Sequence, residues 1–236
     1  MLFKSFNRLF SGLYSPLTMS LNLVLLLGIM SPALANYVPP SEPSSPPPST
    51  TSGGGTRGGC ANNPGEEEQG LPFLVLAPQN HVGQTTATHP TVAWFVPDEE
   101  EYLVELFLDR YSEDASPQRV HSTEIPSEFG VMSYTLPDHL PALTPGDYRW
   151  RVVLVCDPNR PSSSPVADAD LQIVASQRFA EDSANAYAEA GLWYDALAAA
   201  LETSEQLEWR SLLEDLASLE GDERASKLLQ ISELDL

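Results

Sequence analysis

Positive charge is scarce in this sequence. Only 12 residues are lysine or arginine, against 33 aspartates and glutamates, which gives the 236-residue chain a formal net charge of -21. Nucleic acid and anionic membrane surfaces are both bound through clustered basic side chains. The composition therefore argues against both as partners.

Cysteine and histidine are also rare, which limits metal chemistry. The chain has two cysteines and four histidines, and the histidines show no metal-ligand spacing. A structural zinc site usually needs four Cys or His ligands. We therefore expect no metal or other cofactor. Calcium, which takes several oxygen ligands, is kept as an alternative at the acidic groups Asp98–Glu101 and Asp168–Asp170.

Recognisable catalytic motifs are missing as well. The sequence has no G-x-S-x-G nucleophile elbow and no glycine-rich phosphate loop between a strand and a helix. A Ser-His-Asp triad is defined by geometry and could still assemble in space. We expect a protein that is not an enzyme, and keep as an alternative a hydrolase that uses carboxylates outside any known motif.

Residues 1–35 have the pattern of a secretory signal peptide. Two basic residues precede the apolar run at 21–30, which is interrupted only by Asn22 and followed by Ala33-Leu34-Ala35. A spanning helix needs about 20 apolar residues, and this run is shorter. The pattern predicts cleavage after Ala35, a mature chain without a transmembrane segment, and a periplasmic or extracellular location.

Residues 36–70 have the composition of a disordered tether. Proline, glycine and serine occupy 19 of these 35 positions. Such a segment buries too little apolar surface to offset the entropy lost on ordering. We therefore expect a spacer between the export signal and the folded domain.

Residues 71–180 alternate apolar and polar side chains with a period of two. Val104, Leu106 and Leu108, for example, lie opposite Glu105 and Asp109. Seven short segments of this kind, separated by turn residues, predict an antiparallel β-sandwich of the immunoglobulin or fibronectin type. The predicted strands are 71–76, 91–96, 102–108, 119–123, 131–136, 148–156 and 171–175.

A local signature supports the sandwich. The segment from Leu143 to Trp150 resembles the tyrosine corner of such domains, in which a tyrosine bonds to the backbone just upstream. Tyr148 is the tyrosine at that position. We also expect Trp94 and Trp150 to lie in the core.

Residues 181–236 change to the helical period of 3.6. The segment 187–196 resembles one turn of a tetratricopeptide repeat, and a single copy predicts only a helical hairpin with one or two further helices. This acidic α-helical tail contains 14 acidic and three basic residues. We expect a partner selected by charge, such as an envelope protein with a basic surface, to contact this tail.

Three aromatic residues of the tail, Trp193, Tyr194 and Trp209, are candidate interaction residues. So small a helical region is not expected to bury every aromatic side chain by itself. The oligomeric state is left open by the sequence.

The two cysteines, Cys60 and Cys156, are expected to form a disulfide. Disulfides persist in oxidising compartments, and the predicted signal peptide directs the chain to one. Free cysteines or intermolecular bridges remain as alternatives.

Four sequence blocks resemble a known family. They are the glycine-rich run 53–59 ending at Cys60, the segments 90–97 and 145–157, and GLWYDAL at 191–197. These blocks are similar to the cyanobacterial domain-of-unknown-function family numbered 928. The resemblance implies an exported cyanobacterial protein of unknown activity, and it transfers no catalytic residues.

The sequence thus favours an exported, non-enzymatic interaction or structural module. A carbohydrate-binding module is the main alternative, because sandwiches on proline-rich tethers often bind sugars through aromatic side chains. Phe95 and Tyr102 are the candidate stacking residues for that alternative.

Overall fold

The computed structural model describes residues 36–40, 58–60, 70–111, 116–203 and 207–234, all within one compact unit. The predicted signal peptide, with its cleavage site at Ala35, lies outside the described residues. Most of the predicted tether does as well. No helix in the described part of the chain is long and apolar enough to cross a membrane.

Eight described strands form two sheets that share one core. The three-stranded sheet has the order β1-β3-β6, and the five-stranded sheet has the order β2-β8-β7-β4-β5. Every pair is antiparallel except β2 with β8. The strands are β1 (Leu74–Val75), β2 (Gly83–Thr85), β3 (Thr91–Val96), β4 (Leu103–Tyr111), β5 (Pro117–Pro126), β6 (Gly130–Thr135), β7 (Gly146–Val155) and β8 (Val166–Ile173).

The predicted β-sandwich is confirmed, with two differences in its strands. Strand β2 was not predicted, because three residues are too few to show an alternating pattern. Strand β8 begins at Val166, not at Leu171. Its first half alternates small alanines on the inner face with aspartates on the outer face, and this composition is typical of a loop.

The core contains the residues that the alternating pattern assigned to it. Trp94 and Trp150 are fully buried, and the Tyr148 hydroxyl donates to the Thr144 carbonyl oxygen at 2.8 Å. That bond confirms the tyrosine corner. Strand β3 is buried on both faces, since Ala93 and Phe95 are also inaccessible. Helix α2 (Trp193–Glu202) lies against β3, which accounts in part for the second buried face.

Four helices follow the sandwich in the described residues: α1 (Ala184–Glu189), α2 (Trp193–Glu202), α3 (Leu207–Leu219) and α4 (Asp222–Ser232). The Ser183 side chain accepts a hydrogen bond from the Ala186 amide and so caps α1. Gly191 has a φ of 78° in the turn between α1 and α2, where a residue with a Cβ would be strained. The predicted helical hairpin region is therefore confirmed.

The three candidate interaction residues of the tail are buried, with exposed fractions of 0% for Trp193, 1% for Tyr194 and 5% for Trp209. The Trp193 indole donates to the Leu76 carbonyl oxygen at 3.0 Å. Tyr194 donates to the Asp170 carbonyl oxygen and accepts from the Trp150 indole. The prediction that these aromatics are available to a partner is wrong, because they pack the helices onto the sandwich.

The first residues of the predicted tether are packed against the folded domain. Tyr37 is only 5% exposed, and its amide donates to an Asp215 carboxylate oxygen at 2.7 Å. The Tyr37 hydroxyl lies 2.8 Å from Nε2 of His81, and its ring meets Trp193 edge to face. Average composition predicted a tether from residue 36, but one aromatic ring buries enough apolar surface to dock this segment.

The disulfide between Cys60 and Cys156 is formed, with Sγ atoms 2.06 Å apart. It joins the segment before the sandwich to the end of β7. The Cys60 amide also donates to an Asp98 carboxylate oxygen at 3.0 Å. The predicted bridge is confirmed, and it closes a loop across 96 sequence positions.

Candidate functional site

A groove of about 370 Å³ opens where the sandwich meets the first turn of α4. Strands β1 and β8 form one wall, and the helix forms the other. We call it the junction groove. Its lining residues are Leu74, Val75, Gln79, Ala167, Asp168, Gly221, Asp222, Glu223, Arg224 and Lys227.

The groove exists because β2 is short. Strand β2 pairs with β8 only from Leu171 to Ile173, so none of the described strands pairs with the earlier residues of β8 on that edge. The side chain of Gln79 supplies one of the hydrogen bonds that a neighbouring strand would make, by donating to the Asp168 carbonyl oxygen at 3.0 Å. Strand edges that are left open in this way can accept hydrogen bonds from another chain.

Arg224 fixes α4 against the sandwich. Its guanidinium donates to the carbonyl oxygens of Val75 at 2.9 Å and Ala77 at 2.7 Å, and its Nε lies 3.5 Å from a Glu220 carboxylate oxygen. Burial lowers the pKa of Arg224, and Glu220 opposes that effect. Since arginine remains charged in proteins, this guanidinium holds the groove in shape as a cation.

Two aspartates on the outer face of β8 pair with an arginine on β7. Arg149 donates two hydrogen bonds to Asp170, at 2.8 and 2.9 Å, and lies 3.6 Å from Asp168. Burial raises the pKa of the Asp168 carboxyl, and the Arg149 charge opposes that effect. The Arg149 guanidinium thus occupies the position beside these two carboxylates that a metal cation would need. Among the described residues, no three His, Cys, Asp or Glu side chains are grouped so that they could hold a metal ion.

The lining of the junction groove combines apolar side chains with carboxylates and a lysine. Serine, threonine, cysteine and histidine are absent from its described lining. Apolar side chains form the floor, while Asp222, Glu223 and Lys227 carry charge at the rim. Such a surface can hold an apolar side chain flanked by charged groups.

The candidate sugar-stacking residues do not form an aromatic platform. Phe95 is fully buried, and Tyr102 is half-buried with its hydroxyl donating to Glu100 at 3.0 Å. Among the described aromatic residues, Phe129 is the one that is strongly exposed, at 47%. It stands alone on the surface, and its ring meets Phe95 edge to face.

Sequence reasoning missed the residues of the junction groove. A signal for one of them was present, since Arg224 is one of only three basic residues in the acidic tail. An isolated cation of this kind often pairs inside the fold. Nothing in the sequence marks Gln79 in a comparable way. Its side chain bonds to β8 because none of the described strands pairs with that part of β8.

Comparison with known proteins gives a family and distant structural likenesses. No curated protein matches the sequence. One solved structure that the chain is similar to is a lytic polysaccharide monooxygenase described as important for efficient utilization of chitin in Cellvibrio japonicus. It is 13% identical, with a TM-score of 0.30, and the match covers 41% of this chain and 57% of that chain. A family model, Domain of Unknown Function (DUF928), matches residues 52–227. That match spans the sandwich and most of the helices, and the chain belongs to the DUF928 family.

Proposed function

We propose that this protein is an exported, non-enzymatic interaction module of the cell envelope. Its partner would be an envelope protein with a basic surface, which inserts an apolar side chain into the junction groove. The resemblance of the sequence blocks to a cyanobacterial family supports a cyanobacterial source for this activity.

Export is supported by two independent features. The N-terminal residues have the pattern of a signal peptide with cleavage after Ala35. The Cys60–Cys156 disulfide is consistent with an oxidising compartment outside the cytoplasm. Intact-mass measurement of the secreted protein tests both. A chain that begins elsewhere than Asn36, or one with two free thiols, would contradict this part of the proposal.

The single observation that carries the interaction role is the way in which the helices are attached. Buried aromatic side chains and Arg224 lock them to the sandwich, so that the junction groove is already formed. A preformed groove loses little conformational entropy on binding. Its apolar floor and the two acids at its rim, Asp222 and Glu223, complement a basic segment that carries an apolar side chain.

Charge supports the same choice of partner. The tail has 14 acidic and three basic residues, and two of the acids, Asp222 and Glu223, lie at the groove. Complementary charge raises the association rate and weakens as salt is added. A partner bound here should therefore dissociate as the ionic strength is raised.

The test is site-specific photo-crosslinking in the host that exports the protein. A photoreactive residue replaces Glu223 at the groove, and in the control it replaces Glu128, an exposed residue of the β5–β6 turn. We expect a crosslink only from position 223, to a segment that peptide mapping shows to be basic. Asp222→Lys, added to the chain that carries the photoreactive residue at position 223, reverses the remaining acid beside it and should abolish that crosslink.

Glu128→Lys is the matched charge reversal and should leave the crosslink in place. Equal crosslinking from positions 223 and 128, or an acidic captured segment, would contradict the proposal. So would a crosslink from position 223 that survives the Asp222→Lys reversal.

A further inference from the structure

The side of the sandwich opposite the helices carries a second groove. Strands β5 and β6 are the last strands of their sheets there. The space measures about 300 Å³, at the lower end of small-molecule sites. We call it the open-side groove, and the residues on which its chemistry depends are Arg110, Val120, Leu140, Leu143, His121 and Tyr148.

The walls of the open-side groove are mostly apolar. Val120 is 41% exposed, and Leu140 and Leu143 are half-buried. The loop that carries the two leucines is held by backbone bonds, from the Leu140 amide to the Pro137 carbonyl oxygen and from the Leu143 amide to that of Thr88, both at 3.0 Å. The apolar wall is thus formed before any ligand arrives.

One cation, Arg110, lies beside this wall. Arg119, Arg149, Arg160 and Arg224 each lie within 4.0 Å of a carboxylate. Among the described residues, Arg110 has no carboxylate within that distance. Its guanidinium lies 5.8 Å from the centre of the Tyr148 ring and donates to the Pro145 carbonyl oxygen at a long distance, 3.5 Å.

Two other polar side chains of the groove are already engaged. Nε2 of His121 lies 2.9 Å from the Tyr134 hydroxyl, and the two rings are stacked. The Tyr148 hydroxyl donates to the Thr144 carbonyl oxygen. Arg110 is therefore the group that selects a charge, and the leucines and Val120 select an alkyl chain.

We propose that the open-side groove binds a small aliphatic monocarboxylate. Its alkyl chain would lie on Val120, Leu140 and Leu143, and its carboxylate would accept two hydrogen bonds from Arg110. The planar guanidinium matches a carboxylate in this bidentate geometry. The net negative charge of the chain does not prevent this, because exposed charges beyond about 8 Å are largely screened at physiological salt.

The test is calorimetric titration of the disulfide-bonded protein, purified from an exporting host, with octanoate. Acetate lacks the alkyl chain, and octan-1-ol lacks the charge. We expect saturable binding of octanoate, with both controls at least about tenfold weaker. Octan-1-ol loses the charge-assisted hydrogen bond, and acetate loses the burial of the alkyl chain. Binding of octanol as tight as that of octanoate, or no saturable binding of octanoate, would overturn the proposal.

Variants locate the site. Arg110→Gln should weaken octanoate binding about 10-fold to 100-fold, and Leu140→Ser should weaken it by a smaller factor. Arg160→Gln, which removes an exposed arginine elsewhere, should have no effect. If Arg110→Gln fails to fold, backbone amide shifts in the unmodified protein decide: octanoate must perturb residues 110, 120, 140, 142 and 143. Perturbations confined to another surface, or unchanged binding by Arg110→Gln, would refute the assignment.

Discussion

The strand edges on the two sides of the sandwich are protected in different ways. On the side that the helices cover, the edge strands β1 and β2 have only two and three residues. Side chains donate to buried backbone carbonyl oxygens there, as Trp193 does to Leu76 and Tyr194 to Asp170. On the open side, β5 runs for ten residues, begins and ends with proline, and pairs with β4 through a bulge.

This difference shows two solutions to one problem. An unpaired strand edge can add another chain, and prolines and bulges discourage that addition. Where helices supply the missing hydrogen bonds, the strands can be very short. The two proposed binding sites lie on different sides, since the groove on the covered side has Asp222 and Glu223 at its rim and the groove on the open side lies beside Arg110. Four experiments test how far the two sides differ.

The largest effect is expected for Trp193→Ala on the covered side. The substitution removes a fully buried indole and its bond to Leu76, and such changes cost about 3–5 kcal/mol. Phe129→Ala on the open side is the matched control, and it should cost about 1 kcal/mol or less because Phe129 is half exposed. Urea unfolding followed by fluorescence measures both. Equal losses would show that the helices contribute little to stability.

Next in size is the loss of the disulfide. Cys60→Ser/Cys156→Ser should lower the free energy of unfolding by about 2–5 kcal/mol, because the unfolded chain is no longer restrained across a long loop. The midpoint of urea unfolding, compared with that of the unmodified protein under oxidising conditions, measures the change. If the double variant is as stable as the unmodified protein, the bridge does not stabilise the junction between the N-terminal segment and β7.

Two tyrosine hydroxyls provide a sharper comparison. Tyr194→Phe leaves the Trp150 indole and the Asp170 carbonyl oxygen without their partner, which should cost about 2–3 kcal/mol. Tyr148→Phe breaks one bond of the tyrosine corner and should cost about 1 kcal/mol. Thermal unfolding distinguishes the two variants. A larger loss of stability for Tyr148→Phe than for Tyr194→Phe would contradict the expectation that the covered side contributes more to stability.

The smallest expected effect concerns pH. Burial lowers the pKa of His81, on the covered side, so the folded state favours the neutral ring. Its contribution to stability is present above the unfolded pKa of about 6.5 and is lost as pH falls through the lower folded value. The free energy of unfolding should therefore decrease between pH 7.5 and pH 5.5.

The variant His81→Asn should show a flatter dependence over that range. Burial also lowers the pKa of His121, on the open side, with His139 adding to the effect. His121→Asn is thus the matched variant, and it should flatten the profile less because His121 is less buried. Unfolding by urea at four pH values measures the slopes. Identical slopes in all three proteins would contradict the expected contribution of His81.

Much of the fold could be predicted from short-range patterns. Alternation identified β4 and β7, and a local motif identified Tyr148, because strand geometry and turn chemistry depend on neighbouring residues. The failures share a cause. Distant parts of the chain determine the surroundings of Tyr37, Trp193 and the first half of β8. Composition and periodicity therefore did not predict where these residues pack.

The candidate sites show the same limit more strongly. The aromatic residues chosen from the tail are buried, and the groove residues that replace them include Gln79 and Arg224, which no motif marks. A groove is the space that packing leaves between elements. Its position therefore becomes visible only when the elements are placed.

The sequence by itself determined the order of the regions, the sandwich followed by helices, the pairing partners for a disulfide and the strong acidity of the tail. These depend on residue type and on periodicities that backbone geometry imposes. The tertiary structure alone decided which side of the sandwich the helices cover and where the two grooves lie. The bonds responsible join residues far apart, 117 positions from Trp193 to Leu76 and 149 from Arg224 to Val75. Contacts over such separations arise from the packing of the whole core.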